Sequence, residues 1–328
     1  MNESTLVSRR QLIQAMAALS LAPVGGITQA AASRSSALPW WPGLQLYTLH
    51  LNPKSEVEKA FNEVAATGYR IVELAGNYGR NAQEFKRMLE GAGLKALSCH
   101  VSPTPTANNW DLSGDLSKLA ADMHTVGAQT VVLPTPLLPQ HAADALQHPP
   151  PAGLDAKAVS AIFDEVGKDD WHKTADFLNE KAAVLARDGV RTAYHNHNLD
   201  FKKLPGGKTG FDILVERLDA KLVDFEIDVG WAAAAGQDLG ALFARLGSRL
   251  RMLHLKDVKR RSTMSMDMVP ADAGSGIVNW QKLLHLVRNS SVKYMFVEHE
   301  PPFATTPMDA AKADFKYLSN LFNASAAK

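Results

Sequence analysis

Val223-Asp224-Phe225-Glu226-Ile227-Asp228-Val229-Gly230-Trp231 is an apolar run that carries acidic side chains at every second position and ends on Asp228. A carboxylate inside such a run is costly to bury unless it is paired or bound to a metal ion. Three other apolar runs in the second half of the chain end in the same way. RTAYHNHN, residues 191–198, carries His195; LRMLHLKD, residues 250–257, carries His254; YMFVEHEPP, residues 294–302, carries Glu298. The intervals between these four residues are 33, 26 and 44 positions. Such intervals hold a strand, a loop, a helix and a return, as connections between parallel strands require.

The same rhythm continues upstream. Short apolar runs at 43–48, 69–74, 94–100 and 130–133 alternate with helical periodicity at 56–66, 81–90, 116–126 and 171–187. Further helices are expected at 211–218, 239–246, 280–288 and 309–322. Glycines 68, 127 and 189 close several of these helices, and the Gly91-Ala92-Gly93 break closes another. Eight strands alternating with eight helices predict an α/β fold, a (β/α)8 TIM barrel. No glycine-rich dinucleotide fingerprint follows the first strand, which argues against an open doubly wound sheet. Residues 40–325 are read as one barrel domain. The Pro-rich stretch 135–170, with a short helix near 156–165, is a long loop insertion expected over the active face.

The front of the chain reads as an address. Arg9-Arg10 precede an apolar stretch over 15–27 and a small-residue site at 28–32, so 1–32 is expected to be a twin-arginine-type signal peptide directing the protein to the periplasm. The apolar stretch is too short to anchor in a bilayer, so no membrane anchor is expected after cleavage. About 295 residues then remain, a normal length for one α/β barrel. With 35 basic and 34 acidic residues the net charge is +1, and no basic run exceeds Lys259-Arg260-Arg261, so no nucleic-acid partner is expected. The single cysteine, Cys99, forms no internal disulfide and reads as a buried small residue. A homo-oligomer is compatible with this composition.

In a parallel barrel the strand C-termini meet at one face, where chemistry is built. His195, Asp228, His254 and Glu298 are therefore the candidate metal ligands. Two imidazoles and two carboxylates suit Mn, Zn, Fe or Co better than Ca or Mg. His197 shares the parity of His195 and is expected to face substrate, as is Glu300, two positions beyond Glu298. Lys256 shares the parity of His254 and could hold an anionic oxygen. Glu226 shares the face of Asp228 one step deeper and is read as one half of an ion pair. Tyr47, Glu73 and His100 end the first three strands and add polar groups to the same rim, which fits a small polyhydroxylated ligand; Trp231 could stack on a sugar face. His299 is expected to point away.

Leu46-Tyr47, Val72-Glu73-Leu74, Tyr194-His195-Asn196-His197, Asp228-Val229-Gly230-Trp231, His254-Leu255-Lys256-Asp257, the run 274–280 and Val297-Glu298 together resemble the sugar phosphate isomerase/epimerase group of xylose isomerase-like TIM barrels. The resemblance covers nearly all of the chain after the leader. It implies a metal held at Asp228, His254 and Glu298, with His195 where the epimerases of the group carry a glutamate. It further implies a sugar isomerase or epimerase that removes a proton next to a metal-polarised carbonyl, acting on a small-molecule sugar. Those epimerases use two glutamates on opposite faces of the sugar, and only Glu298 remains of the pair. Glu298 or His197 would take the proton, and His197, His100, Lys256 or Glu300 would supply the second transfer. The departure brings forward a lyase or hydratase on keto-sugars or keto-glycosides as the alternative. A non-catalytic sugar-binding barrel is a second alternative. A nuclease on abasic DNA, which shares the barrel, is disfavoured by the balanced charge and by too few ligands for a three-metal cluster.

Overall fold

A computed structural model describes residues 41–52, 54–105, 110–145 and 156–326. The proposed leader, residues 1–32, lies outside the described residues. Eight parallel strands close into a barrel: β1 (Gly43–Gln45), β2 (Ile71–Leu74), β3 (Lys95–His100), β4 (Thr130–Leu133), β5 (Arg191–His195), β6 (Val223–Asp228), β7 (Leu250–Leu255) and β8 (Tyr294–Val297). They neighbour one another in chain order, and β8 pairs with β1 to close the ring. β4 and β6 are buried along their whole length, as strands covered by helices on one side and by the barrel interior on the other must be.

The helices begin and end where the sequence provides the chemistry. Asn81 and Asp115 accept from the backbone N–H groups of Glu84 and Lys118 and start the helices Ala82–Ala92 and Leu116–Val126. Gly93 and Gly127 end them in the left-handed conformation, with φ of 72° and 88°. The long apolar core lies between strands and helices. Val132, Ala193, Met252 and Phe296 form a separate, smaller apolar cluster.

Three expectations change. The run 43–48 is a strand only to Gln45, because the Gln45 side chain accepts from the Tyr47 backbone N–H and caps a short 3-10 turn, Leu46–Leu49. Within 135–170 the expected short helix is present as Ala156–Phe163, but a second one, Gln140–Ala145, precedes it and the next helix already starts at Lys168. Asp228 ends β6 and at once caps a helix, Val229–Ala234, accepting from the Trp231 N–H at 2.8 Å.

Beyond β7, Asp257–Val258 pairs antiparallel with Pro270–Ala271. The Asp257 carboxylate gathers the segment: Oδ1 accepts from the N–H groups of Val258 and Val278, and Oδ2 accepts from Gly274, Gly276 and the Trp280 indole. Gly276 is required there, because a Cβ would lie 2.2 Å from Asp257 Oδ1. Asp257→Asn removes one acceptor oxygen from a buried, fully used carboxylate. It is expected to lower stability by about 2 kcal/mol or more, read as a fall of roughly 4 °C or more in the thermal midpoint.

Candidate metal centre

The strand register sets the heights of the polar side chains. Asp228 pairs with His254, whereas His195 pairs with Glu226, two positions below Asp228. Phe296 is level with His254, so Glu298 stands two positions higher. Side-chain contacts divide the interior into a lower layer, His195, Glu226, Glu73 and His100, and an upper layer, Asp228, Lys256 and Glu298, with His254 in contact with both. Exposure rises toward the mouth, from 0 % at Asp228 and 5 % at Glu298 to 47 % at Tyr47.

His195, Asp228, His254 and Glu298 each offer a ligand atom within 4.8 Å of the others, and all four are buried. Their surroundings fit a divalent cation. Glu226 Oε2 lies 3.1 Å from His195 Nδ1 and 3.1 Å from His254 Nε2. Burial would raise Glu226, but the charge of His254 and the three imidazole hydrogen bonds hold it well below the usual carboxylate range. An ionised carboxylate only accepts, so the nitrogens that face it carry the protons. Burial, and then the neighbouring His254, push His195 down to about 3, so its ring is neutral and its other nitrogen keeps a lone pair. This is the arrangement in which an outer carboxylate fixes the tautomer of a metal-binding histidine.

His254 is held from both sides. Its Nε2 lies 2.5 Å from Glu73 Oε2, and its Nδ1 lies 2.9 Å from Glu298 Oε2. Burial alone would lower this imidazole, but Glu226, Glu298 and Glu73 raise it well above the ordinary value. The Lys256 ammonium lies 2.9 Å from Asp228 and 2.9 Å from Glu298 and also pairs with Glu300. Asp228 and Glu298 thus converge on a point already occupied by positive charge, and a divalent ion would take over that role. Burial, countered by Lys256 and reinforced by Glu298, brings Asp228 up to about 6.

A pH dependence follows. An ion must displace a proton from Asp228 below about pH 6, and the Nδ1 proton of His254 at neutral pH as well. Metal affinity is therefore expected to rise with pH through 6 and onward past 7, with more than one proton released per ion at pH 5.5. Titration in two buffers of different ionisation enthalpy measures that number; affinity independent of pH would contradict the ligand set.

The remaining predicted residues divide. Lys256 and Glu300 join the centre. His197 lies beside His195, with ring centroids 5.0 Å apart, and its buried Nδ1 has no hydrogen-bond partner among the described residues. Tyr47 is on the rim. Glu73 and His100, expected to face a ligand, instead sit in the lower layer. Glu73 accepts from the Gln45 amide at 2.8 Å and is fully buried, and His100 Nε2 donates to Glu226 at 2.8 Å. Trp231, expected to stack on a sugar, is 1 % exposed, because the helix capped by Asp228 turns it inward. Its indole N–H donates to Glu300, and Lys256 Nζ lies 5.1 Å from its ring. His299 turns away toward Asp314 at 3.1 Å. Asn196 was not singled out in the sequence; its Oδ1 accepts from the Asp228 N–H at 3.0 Å and fixes the end of β6.

Residues 61–321 match the family model described as xylose isomerase-like TIM barrel. An inosose dehydratase of Bacillus cereus (strain AH820) is 25 % identical over 281 residues, covering 80 % of this chain and 89 % of that protein. A sugar phosphate isomerase/epimerase from Parabacteroides distasonis ATCC 8503 superposes with a TM-score of 0.64 at 23 % identity, covering 85 % of this chain and 97 % of that one. A 3-keto-D-glucoside 4-epimerase from E. coli superposes with a TM-score of 0.55 at 15 % identity, covering 86 % and 99 %.

Proposed function

Since the chain belongs to the xylose isomerase-like TIM barrel family, we propose that it is a metal-dependent lyase that eliminates water, or another β-oxygen substituent, from a keto-sugar or keto-glycoside. One observation carries the choice of reaction. Glu298 is the only carboxylate of the epimerase pair, and it lies 2.9 Å from the Lys256 ammonium on the same side of the centre. A base and an acid side by side suit removal of a proton and protonation of a leaving oxygen on one face. The dehydratase among the relatives supports the same reading.

His195, Asp228, His254 and Glu298 would hold the ion. When bound, it supplies Lewis acidity that makes the C–H next to a sugar carbonyl acidic. Glu298 takes that proton, because its carboxylate is held ionised by Lys256 and His254 despite burial. Lys256 gives a proton to the departing β-oxygen and recovers one through Glu300, which borders the more open side of the centre. Glu226 keeps both ligand imidazoles in the required tautomer. His197 favours a second reading, isomerisation or epimerisation: a neutral imidazole with a free Nδ1 can take the proton from carbon and then return that same proton to a carbon. We further propose that residues 1–32 export the protein to the periplasm, which suits an unphosphorylated substrate.

The experiment is to load the protein with Mn, Co or Zn and incubate it with keto-sugars and keto-glycosides in D2O under NMR. Elimination gives an unsaturated ketone with new ultraviolet absorbance. Isomerisation gives deuterium in a product of unchanged mass class. A chain that binds sugar yet exchanges no C–H would be a binding protein, and the proposal would fall.

A further inference from the structure

Beneath the Asp228–Glu298 pair lies a second convergent set, with a third histidine that the reaction above leaves without a role. Glu226 Oε2 is approached by three imidazole nitrogens: His100 Nε2 at 2.8 Å, His195 Nδ1 at 3.1 Å and His254 Nε2 at 3.1 Å. One ligand atom from each of the four residues lies within 4.8 Å of all the others. A tetrahedral ion with bonds of about 2.0–2.1 Å holds its ligand atoms about 3.3 Å apart. The three oxygen–nitrogen distances, 2.8, 3.1 and 3.1 Å, are each within about half an ångström of that spacing. Two buried carboxylate oxygens in the same layer, Glu226 Oε1 and Glu73 Oε1, accept no hydrogen bond. The layer thus holds more acceptor capacity than its protons use.

We propose that His100, His195, Glu226 and His254 form a second seat for a zinc-class divalent cation, alternative to the upper one. Three nitrogens and one oxygen make it the softer of the two, so Zn or Co is favoured there over Mn or Mg. A neutral imidazole has one lone pair. His254 offers Nε2 below and Nδ1 above, and serves one seat at a time. An ion in the lower seat therefore takes His254, and with it His195 through Nδ1, away from Asp228 and Glu298. The lower seat is a parking position from which zinc silences the upper centre. It does not depend on which sugar reaction the upper centre performs.

Zinc binding by competition with a chromophoric chelator tests this on the full chain, with circular dichroism to verify folding. The double variant Asp228→Asn/Glu298→Gln is expected to keep one zinc per chain, with affinity within tenfold of the parent. Adding His100→Ala, or the better-packed His100→Gln, is expected to lower that affinity by about 100-fold or more, as loss of a zinc ligand does. Loss of zinc from the double variant while His100→Ala alone retains it would overturn the lower seat and leave the upper centre intact. The reverse pattern would keep the lower seat and remove the upper centre. Equal zinc affinity of the double and triple variants would also overturn the proposal.

Discussion

Glu298→Gln is expected to lower kcat by about 10²–10⁴-fold, the usual worth of a positioned general base. The substitution keeps the size of the side chain and removes both the charge that Lys256 and His254 hold in place and the oxygen that, in the proposed reaction, takes the proton. Turnover should be measured at saturating metal, because the amide is also the poorer ligand and the ion will bind less tightly. A loss smaller than tenfold would mean that the proton leaves by another route, with His197 the first to examine by His197→Gln in the same background.

Lys256→Met is expected to be the most destabilising single change in the barrel interior when no metal is bound. The lysine is 1 % exposed and lies against Asp228, Glu298 and Glu300. Its stem runs so close to Gly230 that a Cβ there would approach Lys256 Cγ to 2.7 Å. Removing the ammonium leaves buried carboxylates without their counter-charge, at a cost of about 3–5 kcal/mol. A divalent ion would neutralise the same carboxylates. The deficit should therefore shrink when the thermal midpoint is measured with excess Mn or Zn, because the variant has no ammonium competing with the ion and each tenfold gain in its affinity over the parent's returns about 1.4 kcal/mol. A variant as stable as the parent without metal would show that the ammonium is not what balances this layer.

Much of this centre was legible before any coordinates. Period-two alternation fixed which residues of β5 to β8 look inward, and the interval lengths fixed that the strands run parallel. His195, Asp228, His254 and Glu298 follow from those two facts, as does the shared side of Lys256 and Glu300. Relative height was not legible. It depends on cross-strand register, which pairs His195 with Glu226 and not with Asp228. This is why Glu226 binds two of the histidines from below and why Glu73 and His100 join that layer instead of the mouth. Two local caps also escaped the pattern. Gln45 turns the chain before Tyr47, and Asp228 starts a helix that buries Trp231; each is a side chain bonding a backbone group two or three residues on, invisible to apolar periodicity. Of the two short helices within 135–170, Ala156–Phe163 was expected from the sequence, whereas the six-residue Gln140–Ala145 is too short to show a period.

The clamp at Asp257 bears on how such a barrel diversifies. The excursion from 259 to 273 leaves and re-enters the body within reach of one carboxylate, and Asn198 ties down its backbone: Asn198 donates to the carbonyls of Met264 and Asp267 and accepts from the Met266 N–H. These Asn198 bonds hold backbone groups and so do not require particular side chains at 264, 266 and 267. Exchanges of side chain along the excursion can therefore vary its surface while β7 and β8 keep their register and the buried polar residues keep their places.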